Sequence, residues 1–415
     1  MIREFKINNL SDAPDKKLFL SKDRNAREIF LHRINQAVFP KNRTFYPDVV
    51  ACSLEYGTAF DLLEEKVMSL DVFFKTNTIE KDKIVEINCS NLVRCTGDYY
   101  FFVYNTENYY HFLYDSLPYL LGFFELKAKK PNLKLLINYP NDQSTNTYKF
   151  FEELIELLGI QKDDIEFIKS GTVYENLFVS SSLTYGLNPN NPPRTEIHKI
   201  YQKLTSLTTK STFELPNKFY VSRRSWLHGD LSNMGTNYTN RRVMENEDKL
   251  VESLAKKGYI EVFTEKMDTI EKINLFSNAT NVVGAIGGGI ANVLFSPKST
   301  KLACIVSPTF LEVNSRFMFS LENVDVRYCN KTQHTEHGKF KTNMRVKFGN
   351  NLVGEIRNVF EDSIEVSYSE KKVAGWNSLI EYKSIRLSKI EVETLDNGLN
   401  SPWACDIDEV LGKCE

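Results

Sequence analysis

Within ENYYHFLYDSLPYLLGFFE, residues 107–125, an imidazole and a carboxylate stand four positions apart: His111 and Asp115, among aromatic and aliphatic side chains. Residues i and i+4 share one face of a helix, so both groups would look into one place while their neighbours hold the helix in the core. A histidine or a carboxylate poised by burial is the usual base for taking the proton of an attacking hydroxyl. Two assignments are open on the residues alone: Asp115 as base with His111 orienting it or binding substrate, or the roles reversed. The structural alternative is a satisfied buried histidine, with Asp115 capping a helix that begins near Pro118.

A second group of residues suits an anion. In FYVSRRSWLHGD an apolar run reads as a strand ending in Ser222, Arg223 and Arg224, and open α/β sheets hold ligands at the carboxyl ends of their strands. A guanidinium there can grip phosphate through two parallel hydrogen bonds; a surface ion pair is the plainer use of the same residues. In NVVGAIGGGIANVLFSP another apolar strand runs into Gly284, Gly287, Gly288 and Gly289, with a helix expected from about Ile290. Glycines let the backbone approach a ligand closely, and a helix start offers amide N–H groups at a positive dipole end, so the turn suits a diphosphate. Its bland counterpart is a tight strand-to-helix turn that needs positive φ and close packing. Glu265, ending the predicted strand IEVFTE, could accept hydrogen bonds from a ribose hydroxyl. Arg241, Arg242 and Glu247 open the next predicted helix, where Glu247 and Asp248 read as ordinary first-turn partners of the dipole. The glycine spacing is neither GxGxxG nor a Walker loop, which disfavours a nicotinamide-dependent enzyme.

The elements that must carry these residues follow from periodicity. The chain has 415 residues, 42% of them hydrophobic, enough for two ordinary domains and a small third. Residues 1–205 alternate β-rich runs such as KLLINYP and NLFVSSS with the helical TYKFFEELIELLG, the pattern of a parallel sheet. A polar connector, TSLTTKSTFELPN, leads into a second, doubly wound α/β domain over 206–335. Two such domains would enclose a cleft. After KTQHTEHGKFKTN helical periodicity stops, and the short β-type runs of 343–395 predict a small SH3-like barrel, followed by a tail over 396–415. A chain ending near residue 340 is accordingly expected to stay folded.

Other features exclude function classes. The 52 basic and 54 acidic residues, with a pI near 6.4, give no basic face of the kind nucleic acid selects. Seven cysteines without a CxxC pair point to a reducing cytoplasm. The polar start MIREFKINNLSDAPDKK has no apolar run of leader or anchor length behind it, so a cytoplasmic protein without a transmembrane segment is expected. Asp406 and Asp408 in CDIDEV form an Asp-x-Asp, yet after the predicted barrel they read as a solvated acidic tail. His334 and His337 lack further ligands at metal-site spacing, and no metal is expected.

Taken in order, NYYHFLYDSLP, FYVSRR, RVMENE, VFTEKMDTIEKINLFSNATNVVG and GGGIANVLF resemble glycosyltransferase family 61 over roughly residues 95–330. The resemblance implies inverting transfer of a sugar from a nucleotide-sugar donor to a hydroxyl of a glycan or glycolipid acceptor, in polysaccharide biosynthesis. It also implies a GT-B architecture, two Rossmann-like domains facing a cleft, with the donor held mainly by 206–335 and the acceptor entering from 1–205. By the same resemblance His111 and Asp115 fall in the family's His-Phe-x-x-Asp segment. Arg223 and Arg224 fall in its basic strand-end motif, and residues 287–292, through Asn292, in its Gly-rich loop. The chain departs at Ile286, in AIGGG, where members commonly have His, so any contact of that His with donor phosphate or acceptor is missing.

The expected site is therefore His111 and Asp115 for catalysis, with Ser222, Arg223, Arg224, Glu265, Gly287, Gly288, Gly289 and Asn292 for the donor. Fixed cations and glycine-turn amides would receive the charge of the departing diphosphate without metal. No cofactor is implied beyond the nucleotide-sugar substrate. The C-terminal module would serve acceptor recognition or homo-oligomerisation. The competing class is a noncatalytic nucleotide-sugar or glycan-binding protein of the same fold.

Overall fold

Two sheets are laid down by the alternation of short apolar runs with helices of nine or ten residues. The computed structural model describes residues 3–6, 30–39, 50–53, 58–61, 66–69, 92–103, 108–138, 147–169, 171–184, 193–208, 214–224, 243–308, 315–335, 339–342, 344–374, 377–395 and 401–414. Arg241, Arg242 and His337 lie outside the described residues.

The first sheet has nine strands: β1 (Arg3–Lys6), β2 (Phe30–Val38), β3 (Val50–Ser53), β4 (Thr58–Asp61), β5 (Lys66–Ser69), β6 (Val93–Phe101), β7 (Lys134–Ile137), β8 (Ile165–Phe167) and β9 (Thr172–Ser180). Their order is β5-β4-β3-β2-β9-β6-β7-β8, with β1 beside β2. Only β9-β6-β7-β8 is parallel; β1 to β5 join antiparallel. The wholly parallel sheet expected for this half is thus corrected to a mixed one. The cause lies in the connections: only four residues separate β3 from β4 and β4 from β5, too few for the crossover that parallel neighbours need. Its helices are α1 (Tyr109–His111), α2 (Leu120–Lys127), α3 (Lys149–Leu157) and α4 (His198–Leu207).

The second sheet is wholly parallel: β10 (Lys218–Val221), β11 (Ile260–Val262), β12 (Asn281–Ala285), β13 (Lys301–Ile305) and β14 (Asp325–Cys329), in the order β11-β10-β12-β13-β14. Between them run α5 (Glu247–Lys256), α6 (Thr269–Ser277) and α7 (Ser315–Leu321). Sequence signals fix the helix ends. Asp268 and Glu271 form a reciprocal capping box at the start of α6, and Gly258, just past α5, takes the positive φ of 80° that ends the helix. Strand order reverses between β10 and β12, because β11 lies on one side of β10 and every later strand on the other. One apolar core runs through both sheets, joining Phe102, Phe112 and Leu113 to Phe219, Ile286, Ile290 and Phe317.

β15 (Thr332–His334) pairs antiparallel with β21 (Trp403–Cys405), and the chain between them forms a separate sheet. It comprises β16 (Arg345–Phe348), β17 (Leu352–Val359), β18 (Ser363–Ala374), β19 (Asn377–Ser388) and β20 (Val392–Thr394), antiparallel in the order β19-β18-β17-β16-β20. Val346, Phe348, Ile356, Ile364, Val366 and Val392 give it a core of its own. After it, the expected solvated tail is corrected to a docked segment. Trp403 is buried with Tyr220, Met244 and Leu250 against the second sheet, and α8 (Ile407–Lys413) follows with Asp406 as its N-cap, accepting from Glu409 N at 3.0 Å. Trp403, Cys405, Val410 and Cys414 supply the apolar stripe that an acidic reading of CDIDEV overlooks. Among the described residues no helix is long and apolar enough to cross a membrane, a statement that leaves strand-built barrels aside.

Candidate active site

The segment that carries His111 and Asp115 is one continuous but irregular helix. α1 passes into a π turn over Phe112–Ser116, then a 3-10 turn over Leu117–Tyr119, then α2. The irregularity follows from Pro118, which has no N–H to give and whose ring crowds the preceding turn. The helix widens ahead of it, with Leu117 N bonding to Phe112 O. In that register Pro118 would have served the carbonyl of Leu113, and the hydroxyl of Tyr201 on α4 donates to it instead, at 2.9 Å. Asp115 therefore lies inside the helix, and the reading of it as a cap for a helix starting near Pro118 is corrected.

The widened turn closes the two functional groups onto each other, with His111 Nδ1 2.7 Å from Asp115 Oδ2. A carboxylate oxygen accepts, so the ring proton sits on Nδ1 and Nε2 is left as the acceptor nitrogen. Thr184, just beyond β9, donates to the other oxygen, Oδ1, at 3.3 Å. Asp115 is 3% exposed and His111 30%. The aspartate is thus the buried member of the pair and the imidazole the one that reaches outward.

The residues expected on the donor side gather where the strand order of the second sheet reverses, the place at which open α/β sheets bind ligands. Ser222 and Arg223 leave the carboxyl end of β10, and Gly287, Gly288 and Gly289 leave that of β12. A Cβ on Gly287 would stand 2.9 Å from Arg223 Nη1, and one on Gly289 2.8 Å from Thr264 Oγ1, whereas Gly288 faces open space. None of the three has a positive φ. Close approach is what requires glycine here, and the turn leads into a 3-10 segment of six residues, Ile290–Phe295, in place of the expected α-helix. Ile286, at the position of the family's usual His, is buried in the core.

Four expectations change on contact with the structure. Arg224 is held by carboxylates: Nε and Nη2 fork onto Glu261 at 2.7 Å each and Nη1 pairs with Asp248, contacts that hold its guanidinium well above the ordinary arginine range. It is therefore a structural ion pair. Asn292 is fully buried and fixes the turn, accepting from Tyr109 OH at 2.6 Å and donating to Gly289 O at 2.8 Å. Glu265 lies in a 3-10 turn, Thr264–Lys266, after β11 has ended at Val262. Glu247, read as a first-turn dipole partner, is a buried hub. Its Oε1 accepts from Tyr220 OH at 2.8 Å, Arg223 N at 2.8 Å and Ser222 Oγ at 3.2 Å, tying the end of β10 to α5.

Lys272 on α6 escaped the sequence reading. Its Nζ lies 4.7 Å from the ring centroid of Tyr109, two residues before His111, so a helix of the second half meets the helix of His111 and Asp115 there. Burial pulls its amine below the ordinary lysine range, with Glu153 and Glu265 opposing. Burial likewise raises Glu265, opposed by Arg223 and Lys272, and its Oε2 is buried without a hydrogen-bond partner among the described residues. A lysine four residues past a capping aspartate looks like a solvated helix face, and only the meeting of the two halves marks it. The halves also touch where Tyr110 stacks on Phe317 at 4.0 Å and where Thr269 N donates to Glu153 Oε2 at 3.1 Å.

Residues 109–303, from the start of the dyad's helix into β13, match the family model described as Glycosyltransferase 61. Over that stretch the chain is similar to glycosyltransferase family 61. The matched stretch holds His111, Asp115, the end of β10, Glu265, Lys272 and the glycine turn. No curated protein matches the chain. Among the described residues no three His, Cys, Asp or Glu side chains gather as a metal site.

Proposed function

We propose that this protein is a glycosyltransferase that moves a sugar, with inversion, from a nucleotide-sugar donor to a hydroxyl of a glycan or glycolipid acceptor, in cytoplasmic polysaccharide biosynthesis. The two sheets form a GT-B pair, with residues 1–205 as the acceptor side and 206–335 as the donor side. The observation that carries the reading is the seating of the Arg223 guanidinium on Gly287 where β10 and β12 diverge.

Cleaving the bond from the anomeric carbon to phosphate oxygen leaves negative charge on the departing diphosphate, which needs fixed positive groups in a poorly solvated site. Arg223 and Lys272 supply them, and the open face of Gly288 admits the phosphate backbone-close. Glu265, with a buried oxygen that has no donor among the described residues, accepts from a ribose hydroxyl. His111 Nε2 takes the proton of the attacking hydroxyl from the opposite side, with Asp115 stabilising the imidazolium that forms. With two cations placed for the diphosphate, transfer proceeds without a divalent ion. Residues 343–395 close as an SH3-like barrel that recognises acceptor or pairs protomers.

Turnover with a panel of nucleotide sugars and glycan acceptors, with and without EDTA, tests this. Expected are transfer with inverted anomeric configuration and rates unchanged by EDTA. Ligand-dependent thermal stabilisation without turnover would instead identify a binding protein of the same fold, and retained configuration would remove His111 as the base of a single displacement.

A further inference from the structure

The docked C-terminal segment reaches the donor side of the site at the chain that opens α5. β21 lies along the chain that opens α5: Trp403 N donates to Val243 O at 3.0 Å, and Glu245 N donates to Trp403 O at 2.9 Å. Asn246 then brackets Cys405, its Nδ2 donating to the carbonyl at 2.8 Å and its Oδ1 accepting from the N–H at 3.2 Å. Asn246 stands at the N-cap position of α5, where asparagine ordinarily accepts from the amides of the first turn. Here its side chain makes no cap bond to the helix, and both of its polar ends are spent on Cys405. The following residue is Glu247, whose carboxylate holds the backbone of Arg223.

We infer that residues 401–405 are a positioning strap for the donor site: through Asn246 they set Glu247, and through Glu247 they hold Arg223 on the glycine turn. The inference rests on the reading that Arg223 receives the diphosphate. Asn246 and Trp403 touch no reacting group and act only through this chain of contacts. A helix that gives up its own cap to hold a distant strand has its first turn placed by that strand, and the first turn is what carries the carboxylate under Arg223.

The test uses the full chain with UDP and GDP as probes, titrated calorimetrically, beside thermal melts. Asn246→Ala removes both bonds to Cys405. Asn246→Ser restores an N-cap to α5 but is too short to bracket Cys405, so it holds stability near that of the wild type and carries the test if the alanine variant fails to fold. Tyr259→Phe removes the hydroxyl bond to Cys414 O, 3.1 Å, at the far end of the docked segment, and controls for stability alone. Expected is a loss of diphosphate affinity of about tenfold in both Asn246 variants, mid-range for residues of one hydrogen-bond network, and none in Tyr259→Phe. Wild-type affinity in Asn246→Ser, or equal losses at the two ends of the segment, overturns the strap. If Arg223→Ala weakens binding while the Asn246 variants do not, only the strap falls; if the wild type binds neither probe, the donor-site reading falls and takes the strap with it.

Discussion

Exposure separates His111 from Asp115: the ring is 30% exposed, while the carboxylate is 3% exposed and bonded to the ring and to Thr184, which is why the proposed mechanism gives the acceptor hydroxyl to the ring. Asp115→Asn keeps the shape of the side chain but lets an amide NH₂ face Nδ1, which favours the tautomer with its proton on Nε2. We expect kcat to fall at least about 10²-fold, the lower end of what general-base catalysis contributes, with nucleotide affinity unchanged by calorimetry. Wild-type turnover in that variant would remove the dyad from the mechanism. The paired arginines should separate. Arg223→Ala is expected to weaken nucleoside diphosphate binding by about 1.5–3 kcal/mol, the worth of a charge-assisted contact. Arg224→Ala should leave affinity intact and lower the melting temperature, since it strands Glu261, itself 20% exposed. Glu265 gives a pH test. Burial raises its carboxyl above the ordinary 4.5, so as pH falls from neutral the folded protein takes up this proton before the unfolded chain does, and stability withheld at neutral pH returns. Glu265→Gln should therefore melt higher than the wild type at neutral pH, with the gap narrowing as pH falls toward 4.5, and it should bind nucleotide more weakly. A gap that widens on acidification would show the carboxylate to be stabilising.

At the scale of the element, the helix of residues 109–127 trades regular hydrogen bonding for the placement of two side chains. The π turn is held open by Pro118 from within and by the Tyr201 hydroxyl on Leu113 O from without. Tyr201→Phe removes the outer support and leaves a buried carbonyl without its donor, at a cost of about 1–3 kcal/mol. Because Leu113 lies between His111 and Asp115, we expect kcat to fall with the melting temperature while nucleotide affinity holds. A variant that loses stability alone would show that the dyad keeps its geometry without the support.

For the whole molecule, the connectivity reverses the expectation that a chain cut near residue 340 stays folded. The five-stranded module leaves the body at β15 and returns at β21, two strands that pair with each other, and the returning segment completes a core around Tyr220, Met244 and Leu250. Ending the chain at 340 removes Trp403 and Val410 from that core and should cost more than about 3 kcal/mol, the lower end for deleting one buried tryptophan side chain. Excising 339–400 and joining the ribbon ends with a short glycine linker should leave a folded, nucleotide-binding protein, because Thr335 N already bonds to Pro402 O at 3.2 Å. Far-ultraviolet circular dichroism and thermal melts of the two deletions decide between these outcomes.

What the sequence determined by itself is what short range controls. Apolar runs and turn glycines located β10 to β13 of the second sheet and the five strands of the module, and i, i+4 spacing put His111 beside Asp115. Tertiary structure alone decided what the polar residues meet. Arg224 and Arg223 are adjacent in sequence and alike in chemistry, yet Glu261 and Asp248 occupy one while Gly287 seats the other. Glu247 reads as an ordinary first-turn dipole partner and Lys272 carries no signal until α5 and α6 are packed against β10 and Tyr109. The docking of residues 401–414 depends on contacts with residues more than 150 positions away, such as Asn246 with Cys405, and neither periodicity nor propensity reports a contact at that separation. Desolvation and partner choice are set by packing, and packing is what brings these distant residues together.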